Sequence, residues 1–301
     1  MKILNLGSLN IDKVYEVKDI VKPGETILAS FYKEYIGGKG LNQSVAIAKA
    51  GAEVYHAGLV GNDGNILVEY LQECGVDTKH INSVDSVSGH AIIQIDNSGQ
   101  NSIIVFGGTN QQINEHYIDN VLNDFGADDI LLLQNEISMI PYAIHKAKEI
   151  GLKVAMNPSP ITDYLLDYPL ELVDIFILNE IEGQALTGKK EEEEIIKEMH
   201  ARYPSAAIVL TLGDKGSVYS DGINEFRQKA YKVEVVDTTG AGDTFCGYYL
   251  ASVSKGISIQ KSMELASKAS SIAIQTKGAS NSIPDSAIVE SSIKEEFAES
   301  I

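Results

Sequence analysis

"DILLLQNE", residues 129–136, opens on an acid, runs through four apolar residues and closes on three polar ones. The same design recurs in "LKVAMNPSP" (152–160), "DIFILNEIE" (174–182) and "AAIVLTLGDKG" (206–216). A strand covered on one face alternates apolar and polar residues, whereas an unbroken apolar run is covered on both. Between the runs lie helix-like stretches, "SMIPYAIHKAKEIG" (138–151) and "EEEEIIKEMHARYP" (191–204). Buried strands alternating with amphipathic helices predict a doubly wound α/β fold with a mostly parallel sheet.

Each apolar run ends in polar residues: Gln134, Asn135 and Glu136, then Asn157, then Asn179 and Glu180, then Thr211 and Asp214. In an open parallel sheet, ligands bind outside the carboxyl ends of the strands. These groups are therefore expected along one edge, over one site. Residues of these types also cap helices and make turns. Glu136 and Asn179 are read as ligand-facing and the others as capping.

Two segments are β-rich without a crossover helix. Residues 88–108, "SGHAIIQIDNSGQNSIIVFGG", hold two runs around the turn "DNSGQ" and read as a hairpin. Residues 12–36, "DKVYEVKDIVKPGETILASFYKEYI", contain a "KPGE" turn. Together they predict a small β-sheet lid over a body made of residues 1–11, 37–87 and 109–301. A lid of this kind excludes water from a reaction.

The 301 residues carry a net charge of −18, which excludes the basic stripe that nucleic acid or an anionic membrane requires. No apolar run reaches membrane-spanning length. Two distant cysteines, Cys74 and Cys246, make no disulfide framework, and the polar N-terminus does not read as a signal peptide. A cytoplasmic location is expected. The six histidines show no zinc spacing.

Two glycine-rich turns carry the chemistry. In "YIGGKGLNQSVAIAKAGA" (35–52), Gly37, Gly38, Lys39 and Gly40 lead into a helix ending near Gly51. Glycines there let a ligand approach the backbone. Asn42 lies in the first turn, within reach of a hydroxylated ligand, and Lys39 reads as a solvated turn lysine. In "VDTTGAGDTFCG" (236–247), Gly240, Ala241 and Gly242 begin another helix, whose free N–H groups and dipole form an anion hole. Asp243, directly behind, would repel a permanent anion. It suits a phosphoryl group in transit, as the base that takes a proton from the attacking hydroxyl. No G-x-x-x-x-G-K-[ST] pattern occurs, and "GAGDTF" lacks the last small residue of a dinucleotide turn.

With "GGKGLNQSVAIAKAGA" and "VVDTTGAGDTFCGYYLA" at the two ends and "NPSP", "LNEIEGQALTG" and "TLGDKG" in order between them, the chain resembles the ribokinase family of carbohydrate kinases along nearly its whole length. The resemblance implies ATP as donor, a sugar primary alcohol as acceptor, with D-ribose favoured, and a lid often shared across a homodimer. It makes Asp243 the catalytic base and assigns Asn10, Asp12, Gly38, Lys39, Gly40, Asn42 and Glu136 to the sugar. For ATP it implies Asn179, Gly242 and the turn Thr211, Leu212, Gly213, Asp214, Lys215 and Gly216. Ser267 stands where the family has a larger polar residue beside adenine. Glu182 resembles the acid that organises Mg2+ through water. Asp237, Thr239, Ala273, Thr276, Gly278 and Ser282 match a monovalent-cation site suited to K+. A kinase for a nucleoside, deoxyribose or another sugar shares these motifs. A non-catalytic sugar sensor would not need Asp243.

Overall fold

A computed structural model describes residues 1–299. The main sheet has nine strands. They are β1 (Ile3–Leu6), β4 (Val54–Val60), β5 (Asp77–Ser83), β8 (Ile130–Gln134), β9 (Lys153–Asn157), β10 (Ile175–Asn179), β11 (Ala207–Thr211), β12 (Ser217–Ser220) and β13 (Glu225–Gln228). Their order is β13-β12-β11-β10-β9-β8-β1-β4-β5. The seven from β11 to β5 are parallel. The antiparallel hairpin β12–β13, which the apolar rhythm did not predict, extends one edge.

The unbroken apolar runs are the four strands β8 to β11, and alternate residues feed two different cores. Leu131, Leu133, Phe176, Leu178, Ile208 and Leu210 pack on one face. There they meet α3 (Glu115–Leu122), α4 (Ile140–Glu149), α5 (Glu180–Thr187) and α6 (Glu192–Arg202). Ile130, Leu132, Ile175, Ile177 and Val209 pack on the other. That face carries α1 (Lys39–Lys49), α2 (Asn65–Glu73), α7 (Ala241–Ser254), α8 (Ile259–Ala273) and α9 (Ser286–Glu299). Period-two side chains with helices on both sides leave polar positions only at the strand ends. Each fully buried Leu or Ile contributes about 1.5–3 kcal/mol relative to exposure.

The second sheet has four strands in the order β3-β2-β6-β7. These are β2 (Asn10–Glu16), β3 (Phe31–Gly37), β6 (Gly89–Ile95) and β7 (Asn101–Phe106). The expected hairpin is β6–β7, with its turn closed by the Asp96 carboxylate. The central strand β2 is antiparallel to β3 and parallel to β6. Asn10 pairs with both Gly37 and Gly89, so the small sheet springs from the end of β1. β1 lies between β4 and β8 while the chain winds outward on both sides, which makes its carboxyl end the switch point where a crevice opens.

Candidate functional site

Gln134, Asn157, Asn179 and Thr211 are the last residues of β8 to β11. The register pairs Gln134 with Asn157 and Asn179 with Thr211, so the polar ends form one row. A cavity of about 220 Å³ opens beyond them. Its lining includes Lys39, Asn157, Asn179, Glu182, Thr211 and Asp243, with Gly240 and Gly242. A larger hollow of about 810 Å³ lies at the far edge, between β5 and α3. None of the strand-end amides or glycine turns reaches it, and the chemistry belongs to the smaller cavity.

At the head of α7, Gly240 takes φ 75°, a left-handed turn that swings the chain into the helix. Gly242 and Asp243 have no carbonyl within the helix for their N–H groups, and a side chain at Gly242 would meet open space. The expectation that all three turn residues present free donors needs one correction. Ala241 N–H closes a turn onto Thr238 O at 3.2 Å, so the open donors shift toward Gly242 and Asp243.

Asp243 is 7% exposed, with each carboxylate oxygen held by an amide. Asn42 Nδ2 donates to Oδ2 at 2.9 Å and Gln43 Nε2 to Oδ1 at 2.9 Å. Asn42 Oδ1 is buried without a partner among the described residues, a free acceptor beside the carboxylate. A buried orphan acceptor is costly unless a ligand donor satisfies it. The start of α1 is brought this close because Gly40 packs on β1's end, where a Cβ would lie 2.4 Å from Ser8 N.

On the small-sheet side, Asn10 and Asp12 share one face of β2. Asn10 Oδ1 accepts from Asn110 Nδ2 at 2.7 Å. Burial raises the Asp12 carboxyl to about 6, and the Glu136 charge adds to it. Glu136 accepts from Lys39 N–H at 3.0 Å and from the Ser8 hydroxyl. Burial raises its carboxyl, against the opposing pull of Ser8 and Lys39. Lys39, read from sequence as solvated, is half-buried. Burial acts to lower its ammonium, but Asp243, Glu136 and Glu182 outweigh that and raise it.

On the opposite side, Asn179 caps α5, so the capping reading set aside for it holds alongside its place in the cavity wall. Its Oδ1 accepts from Glu182 N–H at 2.9 Å, and Glu182 Oε2 accepts from Asn179 N–H at 3.0 Å. Glu182 is 6% exposed, and burial raises its carboxyl. Its second oxygen accepts from Asn179 Nδ2 at 3.0 Å. With both oxygens engaged, it suits a hydrated ion better than direct ligation. The turn after Thr211 is single-turn helix from Gly213 to Lys215, exposed, with Leu212 buried beneath it and Gly216 closing it. Lys215 pairs with Glu180 at 3.4 Å. Ser267 is buried in α8 and does not line the cavity.

The six residues matched to a cation site come together behind α7. Asp237 Oδ1 accepts from Thr239 N–H and hydroxyl at 2.9 and 2.7 Å. Its Oδ2 accepts from Gly278 N–H at 2.9 Å. Ser282 Oγ donates to Gly278 O at 2.9 Å, and Thr276 N–H to Ala273 O at 3.1 Å. Carboxylate, hydroxyl and carbonyl oxygens make a donor set suited to a hard cation. Among the described residues no group of three His, Cys, Asp or Glu could hold a transition metal.

Reading the sequence overlooked Gln43, Asn5, Ser8 and Asn110, all buried and all bonded to site residues. Gln43 stood beside the chosen Asn42, and a polar residue at a helix position expected to face the core was the available signal.

The pfkB family carbohydrate kinase model matches residues 1–286. A ribokinase of Haemophilus influenzae is 35% identical over 288 residues, covering 93% of this chain and 94% of that protein. The structure of Arabidopsis thaliana ribokinase complexed with ribose and ATP superposes with a TM-score of 0.85 at 31% identity, covering 96% of this chain and 97% of that one. Cryptococcus neoformans ribokinase in complex with ADP gives 0.84 at 31% identity, covering 96% and 99%. From its two-sheet architecture to its matched length, the chain belongs to the pfkB family of carbohydrate kinases, phosphotransferases that act on an alcohol.

Proposed function

We propose that this chain transfers the terminal phosphoryl group of ATP to the 5-hydroxyl of D-ribose, giving D-ribose 5-phosphate and ADP. One observation carries the reading: an amide-held carboxylate, Asp243, stands at the head of a helix whose open N–H groups face the same cavity. Similarity to ribokinases over more than nine-tenths of the chain favours ribose among sugars.

Asn10, Asp12, Gly38, Lys39, Gly40, Asn42 and Glu136 bind the sugar, and directional partners around a compact polyol give selectivity because each unmatched buried group is costly. Asp243 takes the hydroxyl proton as the oxygen attacks in line. The open N–H groups of Gly242 and Asp243, with Lys39, stabilise charge gathering on the phosphoryl oxygens. Asn179, Gly242 and residues Thr211 to Gly216 hold the nucleotide, with Ser267 behind them. Mg2+, when bound, neutralises phosphate charge; Glu182 and Asn157 would organise it through water. K+ at Asp237, Thr239, Ala273, Thr276, Gly278 and Ser282 would brace the turn from behind.

Residues 12–36 and 88–108 act as the lid. Their sheet exposes Phe31, Tyr32, Tyr35, Ile103, Ile104, Val105 and Phe106, each at least 43% accessible. An apolar surface of that kind is a contact site, here for a second copy. The two free cysteines fit a reducing, cytoplasmic setting. Among the described residues no helix is long and apolar enough to cross a membrane.

ADP release over a panel of pentoses, hexoses, deoxyribose and nucleosides tests the reading. D-Ribose should give the highest kcat/KM. A higher value for a nucleoside or for deoxyribose would move the assignment within the family. Silence across the whole panel would leave a sugar-binding sensor.

A further inference from the structure

We infer that Gln43 is a positioning residue for phosphoryl transfer, clamping the Asp243 carboxylate and tying it to Asn157 on the nucleotide side; this rests on the kinase reading above. Gln43 is 0% exposed on α1 and presents no atom to a ligand. Its amide is nonetheless fully used. Nε2 donates to Asp243 Oδ1 at 2.9 Å and to Asn157 Oδ1 at 3.1 Å. Oε1 accepts from Gln134 Nε2 at 2.7 Å and faces Cys246 Sγ at 3.7 Å. A primary amide has two N–H donors and two acceptor sites, and all four are committed. Turning the amide over would set an oxygen against two acceptors, so its orientation is fixed.

The chain of amides extends both ways. Gln134 Nε2 also donates to Asn5 Oδ1 at 2.9 Å, and Asn5 Nδ2 donates to Gly40 O at 2.7 Å, at the sugar-side turn. Asn157 Nδ2 donates to Ile177 O at 2.9 Å and approaches Glu182 Oε2 at 3.4 Å. Asn42 holds the other Asp243 oxygen but keeps an open acceptor for substrate. The two neighbours thus divide the labour: Asn42 meets the sugar, and Gln43 fixes the base. A base must aim its lone pair at the hydroxyl, and a displacement near 1 Å costs about 10²-fold in rate.

Two variants test this, Gln43→Met and Gln43→Glu, with the unchanged protein alongside. Gln43→Met keeps the volume and removes the hydrogen bonds. Per folded molecule, its kcat should fall about 10–100-fold, while KM for ribose and for ATP stays within about threefold because neither ligand touches Gln43. Gln43→Glu puts a second carboxylate against Asp243, and the acid limb of its kcat–pH profile should move to higher pH. A merely structural role lowers the folded fraction and leaves kcat per folded Gln43→Met molecule in place. Normal kcat per folded Gln43→Met, or a loss carried by KM, overturns the inference. If that variant does not fold, an unmoved acid limb in Gln43→Glu overturns it. Failure of the unchanged protein to release ADP overturns the kinase reading and this inference with it, whereas failure confined to the variants' predicted changes overturns this inference alone.

Discussion

Gly240 and Ala279 are in contact: a Cβ on Gly240 would lie 3.0 Å from the Cα of Ala279. The loop that gathers Asp237, Gly278 and Ser282 therefore presses on the residue that turns the chain into α7. On the proposed reading, an ion bound in that loop would act on the shape of the Gly240 turn without touching substrate. Replacing K+ by tetramethylammonium at constant ionic strength should lower kcat about 5–150-fold, the range of an ordinary coupling free energy. Unchanged turnover in the organic cation would remove the role given to this loop.

The same contact makes Gly240→Ala informative. The substitution adds roughly 1 kcal/mol of left-handed backbone strain and drives a methyl into Ala279. Thermal unfolding should register a small loss. Steady-state kinetics should register a much larger fall in kcat, with KM for ribose nearly unchanged, because Asn10, Asp12 and Glu136 lie on other elements. A variant that lost stability but kept full kcat would show that the turn only shapes the helix.

Asp243→Asn removes the proposed base and keeps the shape. An amide there still bonds one of the two flanking amides, and kcat should fall about 10²–10⁴-fold. Ribose binding, measured calorimetrically, should change little. Near-normal turnover would give the base role to another group.

The doubly wound parallel architecture was legible because parallel strands buried on both faces leave long apolar runs; "DILLLQNE" and its three repeats mark β8 to β11. The β12–β13 hairpin was not, because its two four-residue strands begin and end on the polar residues Ser217, Ser220, Glu225 and Gln228 and leave no long apolar run. The position of the strand-end site followed from topology. Its inner layer did not. Asn5 and Ser8 look like any polar residue in a sequence, and only the approach of α1 to β1 through Gly40 sets Gln43 against Asp243 and Ser8 against Glu136, with Asn5 bonded to Gly40 O.

Asp12 provides a pH test of the proposed sugar site. Its carboxyl is raised to about 6, first by burial and then by Glu136. Below that pH it carries a proton and loses its role as a full acceptor. The kcat/KM for ribose should therefore fall as pH drops through about 6, and Asp12→Asn should be low throughout and lack that limb. The kcat/KM profile is the right measure because it reports the free enzyme. A limb unchanged in Asp12→Asn would belong to another group.

His56 provides a test of acid stability in the same region. It is fully buried, its Nδ1 lies 2.8 Å from Ser44 Oγ, and Ser44 Oγ accepts from Asn5 at 2.8 Å. Burial lowers its pKa from 6.5 to about 4, against a weaker upward pull from the Gly7 carbonyl. The folded state thus binds this proton less readily than the unfolded one. Stability from the neutral ring is fully present above about 6.5 and is lost as pH falls toward 4. The full window is worth about 3 kcal/mol. Asp12 acts with the opposite sign, since its folded-state pKa is raised and protonation there favours the fold. The measurement is therefore a difference: Tm of the unchanged protein against His56→Asn at pH 7 and pH 4.5. The unchanged protein should lose more on acidification. Parallel losses in the two would mean that the ring does not control acid unfolding.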